Sequence, residues 1–443
     1  MKDRACSLVS FSSYLRGFDL RQHARQMSDA RTDPEISPAS IFLALFHAFV
    51  FRLPSLQQLD IELSHSYLPN WIGAERPFHD DTLRYSLCSF NLETLEQTLV
   101  DTARRLKRRK ALDAGRVHGR LVAALDGIEV LSSFSRHCED CLQRRVTLKD
   151  EATGQKLERL QYYHRAVGCQ IINSPVKPFL GLEWLRPGEG EDKATLRLLA
   201  RLPALYGSRF FDILLLDSLY AQAPVLKLAQ QIGWDLVISL KQEKRDLYQD
   251  AWGLFQARAP DQTFTERQPG KTYEVRLWEE FGLPFSREHP QPLRLVRTQE
   301  EVTETHYRGD KKQRETTSHE WLWLTTLGSV FAAPVVRRLG HDRWKNENNG
   351  WMDLTQHWAF KHGFLHACRH RPQRRHASGE REPVPNHGLA AVTLILLIAF
   401  AVCSAFVLRR SKLARLHHLT AVAVAAQLRS RIANPPPSIR APT

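Results

Sequence analysis

The spacing of apolar residues divides the chain into regions of different texture. Over residues 1–115 the pattern is helical. Ser37-Pro38-Ala39-Ser40 reads as a helix start with proline in the first turn, opening the run IFLALFHAFVF, and Asp81-Thr82 precedes the periodic stretch LRYSLCSFNLETLEQTLVDTARRLKRRK. From Leu121 short apolar runs alternate with polar turns. VAALD, YYHRAVGCQII, FFDILLLD and DLVISL predict successive strands, with a helix in GEGEDKATLRLLARLPALY between the second and third. Residues 116–240 therefore read as an α/β layer. Residues 241–325 are polar and locally alternating (KTYEVRLW, LRLVRT, EWLWLTTL), which predicts an antiparallel, β-rich insertion. Beyond it, RWKNENNGWMDLTQHWAFKHGFLH predicts a helix carrying Glu347, within a last segment, 326–425, of the α/β domain. The Pro- and Arg-rich end, 426–443, is expected to be disordered.

One stretch of that last segment has two readings. Residues 389–408 are uncharged and are followed by Arg409, Arg410 and Lys412, which meets the length rule for a membrane span with a positive flank. A helix buried on all sides in a large domain is equally apolar all round.

Composition narrows the class. The chain has 443 residues, 43% hydrophobic and 25% charged, enough for a real core and for two or three domains, which excludes a disordered chain. Lys plus Arg number 62 against 48 Asp plus Glu, a formal charge of +14 that attracts polyanions, nucleic acid first among them. Seven cysteines, of which only Cys138 and Cys141 are closely spaced, do not form the framework of a secreted, disulfide-stapled protein. The N-terminal residues lack the apolar core of a signal peptide, so a cytoplasmic, nucleoid-associated location is expected.

Three carboxylates stand out by position. Asp126 and Asp217 follow apolar strands, and Glu347 lies early in a helix after the insertion. Acids on neighbouring strands and a facing helix suit a pair of hard cations, Mg²⁺ or Mn²⁺, for in-line phosphoryl displacement. Cys138 and Cys141, with His137 and His164 nearby, form a candidate tetrahedral zinc set; His362 and His366, one helical turn apart, are alternative ligands but read first as DNA-facing or core residues. Arg104, Arg105, Lys107, Arg108, Arg109 and Lys110 close the periodic stretch of the first region; Arg104, Arg105, Arg108 and Arg109 are the candidate DNA-binding residues. The Arg-rich loop at 369–381 is a second candidate.

LDGIEVLSS with HCEDC and YYH, then LLLDSLYAQAP, then RWKNENNGWMDLTQHWAFKHGFLH, resemble the DDE transposases of bacterial insertion sequences, of the fourth insertion-sequence family type, over most of the chain. The resemblance implies an α/β catalytic domain like ribonuclease H and retroviral integrase, a β-rich insertion before the last acid, and an apolar helix closing the domain. It assigns Asp126, Asp217 and Glu347 as catalytic metal ligands, with Arg343 supporting them. Gly340 and Leu354 stand where the family's wider signature has tyrosine and lysine, and Ile128 where relatives often have threonine. The implied partners are double-stranded DNA, as transposon ends and target, and a second copy of the chain in a paired-end complex; residues 389–408 would then be core and not membrane. An inactive or domesticated DNA-binding or nuclease derivative, and a single-span membrane protein with a basic cytosolic domain, are the alternatives.

Overall fold

The computed structural model describes residues 8–149, 154–241, 246–256, 258–287, 289–308, 311–366, 373–375, 381–383, 386–414 and 420–433. Its first part is helical: α1 (Leu8–Arg16), α2 (Leu20–Gln26), α3 (Pro38–Val50), α4 (Leu56–His65), α5 (Leu68–Ile72), α6 (Asp80–Cys88) and α7 (Leu92–Arg108). Ser37 caps α3 as its sequence suggests, accepting from the Ser40 amide at 3.1 Å. The long periodic stretch that followed Asp81 is two helices, because Asn91 accepts from the Thr94 amide at 3.2 Å and starts α7 afresh. Cys88 is disulfide-bonded, although the cysteine spacing suggests no disulfide framework.

The sheet comprises β1 (Val122–Ser133), β2 (Leu142–Lys149), β3 (Lys156–Ile171), β4 (Phe179–Trp184), β5 (Ile213–Leu216), β6 (Asp235–Leu240), β7 (Gln262–Gln268), β8 (Lys271–Ser286), β9 (His289–Arg308) and β10 (Lys311–Thr325). Its order is β2-β3-β1-β5-β6-β10-β9-β8-β7, with β4 also paired to β3. β1 pairs antiparallel with β3 and parallel with β5, and β5 pairs parallel with β6. The polar stretch after residue 241 thus continues the same sheet, since β10 pairs antiparallel with β6. β2 and β4 escape the strand pattern of the sequence: β2 is polar at most positions, and β4 follows a Pro-containing turn.

Two apolar layers sandwich the central strands, and alternation sorts their side chains between them. Ala123, Leu125, Leu214, Leu216, Leu236 and Ile238 enter one core, which includes α8 (Glu191–Tyr206), α9 (Ala223–Ile232) and the N-terminal helices. Val122, Ala124, Ile213, Leu215 and Val237 face the other, beneath α11 (Ala333–Asp342), the helix after the short α10 (Asp246–Gln256) of the insertion. A buried ion cluster ties insertion to helix: Arg337 of α11 and Glu300 of β9 pair at 2.9 Å, and His341 Nε2 lies 2.9 Å from Glu300.

The uncharged segment lies within α13 (Gly388–Ala414). Its span 388–411 is long and apolar enough to cross a membrane, and 78% of its most apolar window is buried inside the structure. Phe406 meets Phe11 and Tyr14 of α1 with ring centroids 5.0 and 5.3 Å apart. On another side Phe400 meets Trp358 at 5.4 Å and Phe179 of β4 at 6.2 Å. Residues 426–433, expected to be disordered, are instead helical in α14 (Ala421–Ala433), whose Val424, Leu428 and Ile432 are buried. The apolar spacing there outweighs the polar composition of the end. Residues 434–443 lie outside the described residues.

Candidate active site and metal centre

β1 and β5 pair in parallel from Val122↔Ile213 to Ala124↔Leu215, so two steps further on Asp126 and Asp217 stand level. Parity sends both side chains to the face covered by α11, because Val122, Ala124, Ile213 and Leu215 already point there. Asp126 is not the end of its strand, as the sequence suggested. β1 runs on to Ser133, since β3 continues to pair with it from Asp126↔Gly168 to Ser133↔Tyr162 after β5 has stopped. Asp217 lies just beyond β5, its Oδ1 accepting from the Ser218 amide at 2.8 Å to start a 3-10 turn.

Glu347 arrives from the other side of the chain. A short helix, α12 (Trp344–Asn346), follows α11 and runs through the π turn Glu347–Trp351 into Met352–His357. Such π turns recur at functional sites because the extra residue re-aims the side chains around it. Asn346, fully buried, holds this helix to the strand by donating to the Ala124 carbonyl at 3.0 Å, two residues before Asp126. Lys345 donates to Asn173 Oδ1 at 2.8 Å. Gly168, opposite Asp126, permits the close approach: a Cβ there would lie 2.5 Å from the Trp351 ring.

Asp126 feels both of the other acids through space. Burial pushes the Asp126 carboxyl up to about 6; Arg343 and the Gly127 amide oppose that rise, while Glu347 and Asp217 reinforce it. Arg343 Nη1 lies 3.6 Å from Asp126 Oδ2, and the arginine is only 4% exposed. A cation beside Asp126 would relieve the cost of ionising it, although among the described residues the three acids do not form a group whose ligand atoms all lie within 4.8 Å of one another.

The two positions that depart from the expected glutamate signature, Gly340 and Leu354, are both closely packed. A Cβ at Gly340 would lie 2.1 Å from Trp323 Nε1, which leaves no room for a tyrosine. Leu354 is fully buried in the core, where a lysine would need a partner. On the opposite face, the Glu191 carboxylate lies where a Cβ on Gly127 would go, accepts from Tyr220 Oη at 2.9 Å, and pairs with Arg165. Sequence reading missed this link between the Asp126 strand and the Asp217 turn, because GEGED reads only as a helix start.

The thiols form a second centre. Ligand atoms of Cys138, Cys141, His164 and His366 all lie within 4.8 Å of one another. Cys138 Sγ is 3.7 Å from Cys141 Sγ and 3.3 Å from His164 Nε2, and Cys141 Sγ is 3.4 Å from His164 Nε2 and 3.1 Å from His366 Nε2. Burial pushes His164 down to about 4, and lowers His366 too, which keeps both imidazoles neutral and able to donate a lone pair. His137, expected in this set, is exposed and stacks on Tyr162 with ring centroids 4.7 Å apart. Adjacency in HCEDC misled there: the turn closed by Cys141 N–H and Cys138 O brings both thiols to His164 of β3, while the His137 ring is taken up by Tyr162. His362 is exposed beside Phe364.

The basic cluster at the end of α7 is divided in use. Arg104 donates to the Leu205 carbonyl at 2.6 Å, Arg105 to that of Gly17 at 2.8 Å and to Asp19, and Lys107 to those of Arg209 and Phe210 at 2.7 and 2.6 Å. These three bind α7 to its neighbours. Arg109 reaches the Gly17 carbonyl at 2.6 Å yet stays exposed, as do Arg108 and Lys110. Arg108, Lys110, Arg116 and Arg209 line an open groove here with Arg104 and Lys107. Most of the Arg-rich loop at 369–381 lies outside the described residues.

No family model and no curated protein matches the chain. Among solved structures, the piggyBac transposase synaptic complex with hairpin DNA aligns over 96% of this chain and 83% of that one, at 9% identity and a TM-score of 0.40. At that distance the likeness decides neither family nor activity, which are left to the residues themselves.

Proposed function

We propose that the chain is a transposase of the DDE type, which cuts and joins double-stranded DNA at Asp126, Asp217 and Glu347. One observation carries the reading: Asp126 stands level with Asp217, which directly follows the adjacent parallel strand, and both that aspartate and Glu347, on a π turn, act electrostatically on Asp126. The order β4-β3-β1-β5-β6, three antiparallel strands followed by two parallel ones, supports a ribonuclease H-like core.

The three carboxylates would hold two Mg²⁺ or Mn²⁺ ions, which supply charge neutralisation for in-line displacement at phosphorus. The chain's own residues do the positioning. Asn346 and Lys345 fix the glutamate helix to the sheet, and Arg343 supplies a buried positive charge beside Asp126. The groove at the end of α7 offers phosphate contacts through exposed cations. Two copies would hold two DNA ends in one complex, in a cytoplasmic, nucleoid-associated setting, with α13 as a core helix.

The test uses purified protein and DNA carrying the sequences that flank its coding region. Asp126→Ala, Asp217→Ala and Glu347→Ala should each reduce Mg²⁺-dependent cleavage and strand joining to background, while DNA binding stays near wild type. Full activity in any one variant removes that residue from the site. Cleavage without joining by the wild type would reassign the chain as a nuclease.

A further inference from the structure

We propose that Cys138, Cys141, His164 and His366 bind one tetrahedral ion of the zinc class, and that this ion staples the chain following the glutamate helix to the strands carrying Asp126. The donors are two thiols and two imidazoles with no carboxylate among them, a set that selects zinc over magnesium. A tetrahedral zinc with its usual bond lengths needs about 3.8 Å between sulfurs and about 3.6 Å from sulfur to nitrogen. The observed separations, 3.7 Å and 3.1–3.4 Å, are close to those edges. Four protein ligands leave no open position, which is the mark of a structural and not a catalytic site. The Cys138 amide also donates to Cys141 Sγ at 3.3 Å, an interaction that stabilises a metal-bound thiolate.

The ligands come from three distant stretches. Cys138 and Cys141 lie in the β1–β2 turn, and His164 is on β3 opposite Val130 of β1. Asp126 is four positions back along β1, about 13 Å at the rise of a strand, so the two metal centres are separate. His366 belongs to the segment that leaves the glutamate helix. Its carbonyl accepts from Asn386 Nδ2 at 3.2 Å, and Asn386 Oδ1 accepts from the first amide of α13, at Gly388, at 3.1 Å. An ion held through His366 therefore joins the β1–β3 ladder, the exit from the glutamate helix and the start of the central helix. Sequence adjacency points to His137, and only the fold brings His366 in.

The staple is tested apart from DNA chemistry. Full-length protein should contain about one equivalent of zinc, and cobalt exchanged into it should show thiolate charge transfer and the intense visible bands of a tetrahedral ion. His137→Ala should leave both unchanged. His366→Ala should weaken the ion by more than about 100-fold, beyond what removing a hydrogen bond to a ligand costs. Chelation of the wild type should raise amide exchange across 358–366 while the β1–β3 ladder stays protected, a readout that does not depend on whether a variant folds. Retention of the ion by His366→Ala at wild-type affinity, or unchanged exchange after chelation, would overturn the staple. Because none of these measurements uses DNA, failure of the transposase reading would leave them interpretable.

Discussion

Arg343 and Asp126 face each other with Nη1 and Oδ2 3.6 Å apart, their side chains 5% and 22% exposed. The guanidinium favours the ionised acid, yet it does not restore an ordinary carboxylate: burial, aided by Glu347 and Asp217, still lifts Asp126 to about 6. Ionising Asp126 in this setting therefore costs free energy, a cost that an incoming divalent ion would offset.

That cost makes Asp126→Asn a stabilising change in metal-free protein. The folded-state value of Asp126 is raised above its unfolded value of 3.8, so its contribution to stability is present below that value and is lost as pH rises through about 6. A shift of this size corresponds to roughly 3 kcal/mol. Urea denaturation in chelator should therefore show Asp126→Asn gaining up to about 2–3 kcal/mol over wild type at pH 8 and about half that at pH 5. An equal difference at both values would mean that burial does not disfavour the ionised acid.

The cations of α7 should separate by what they touch. Replacing Arg108 and Arg209 with Gln, both exposed in the groove, should weaken DNA binding across sequences and lower the salt slope by about one unit for each phosphate left without its arginine, at unchanged stability. Arg105→Gln should behave in the opposite way, because its guanidinium is committed to Gly17 and Asp19: a lower melting temperature with a near-normal salt slope. Salt-dependent binding titrations and thermal melts on the same preparations check both halves. An unaltered slope in the Arg108/Arg209 variant would move the DNA surface elsewhere on the molecule.

The sequence revealed the strand texture around Asp126 and Asp217 because buried parallel strands are continuous apolar runs. It also revealed Glu347 as a helical residue. It did not reveal that β1 outlasts its parallel partner, since that depends on the length of β3. The use of Arg104, Arg105 and Lys107 was hidden for a related reason: their carbonyl partners lie far along the chain, and a run of cations looks alike whether it faces phosphate or backbone. His366 was visible only as an alternative ligand, because ligand geometry across such separations is a property of packing. Composition could not choose between span and core for residues 389–408, and it could not show the aromatic neighbours that α1, β4 and the segment after the glutamate helix bring to α13.

Those neighbours supply the last prediction. In the folded chain Phe406 is fully buried against Phe11 and Tyr14, and its removal leaves a cavity in the core. Phe406→Ala should cost about 3–5 kcal/mol, a core value, with cooperative unfolding retained. A helix seated in lipid would tolerate the same change, because hydrocarbon fills the gap. Expressed wild-type protein should also leave the pellet on addition of salt without detergent, whereas a spanning helix would hold it in the membrane fraction. A Phe406→Ala variant of unchanged stability, found only in detergent extracts, would overturn the proposed core role of α13 and return the chain to the single-span reading.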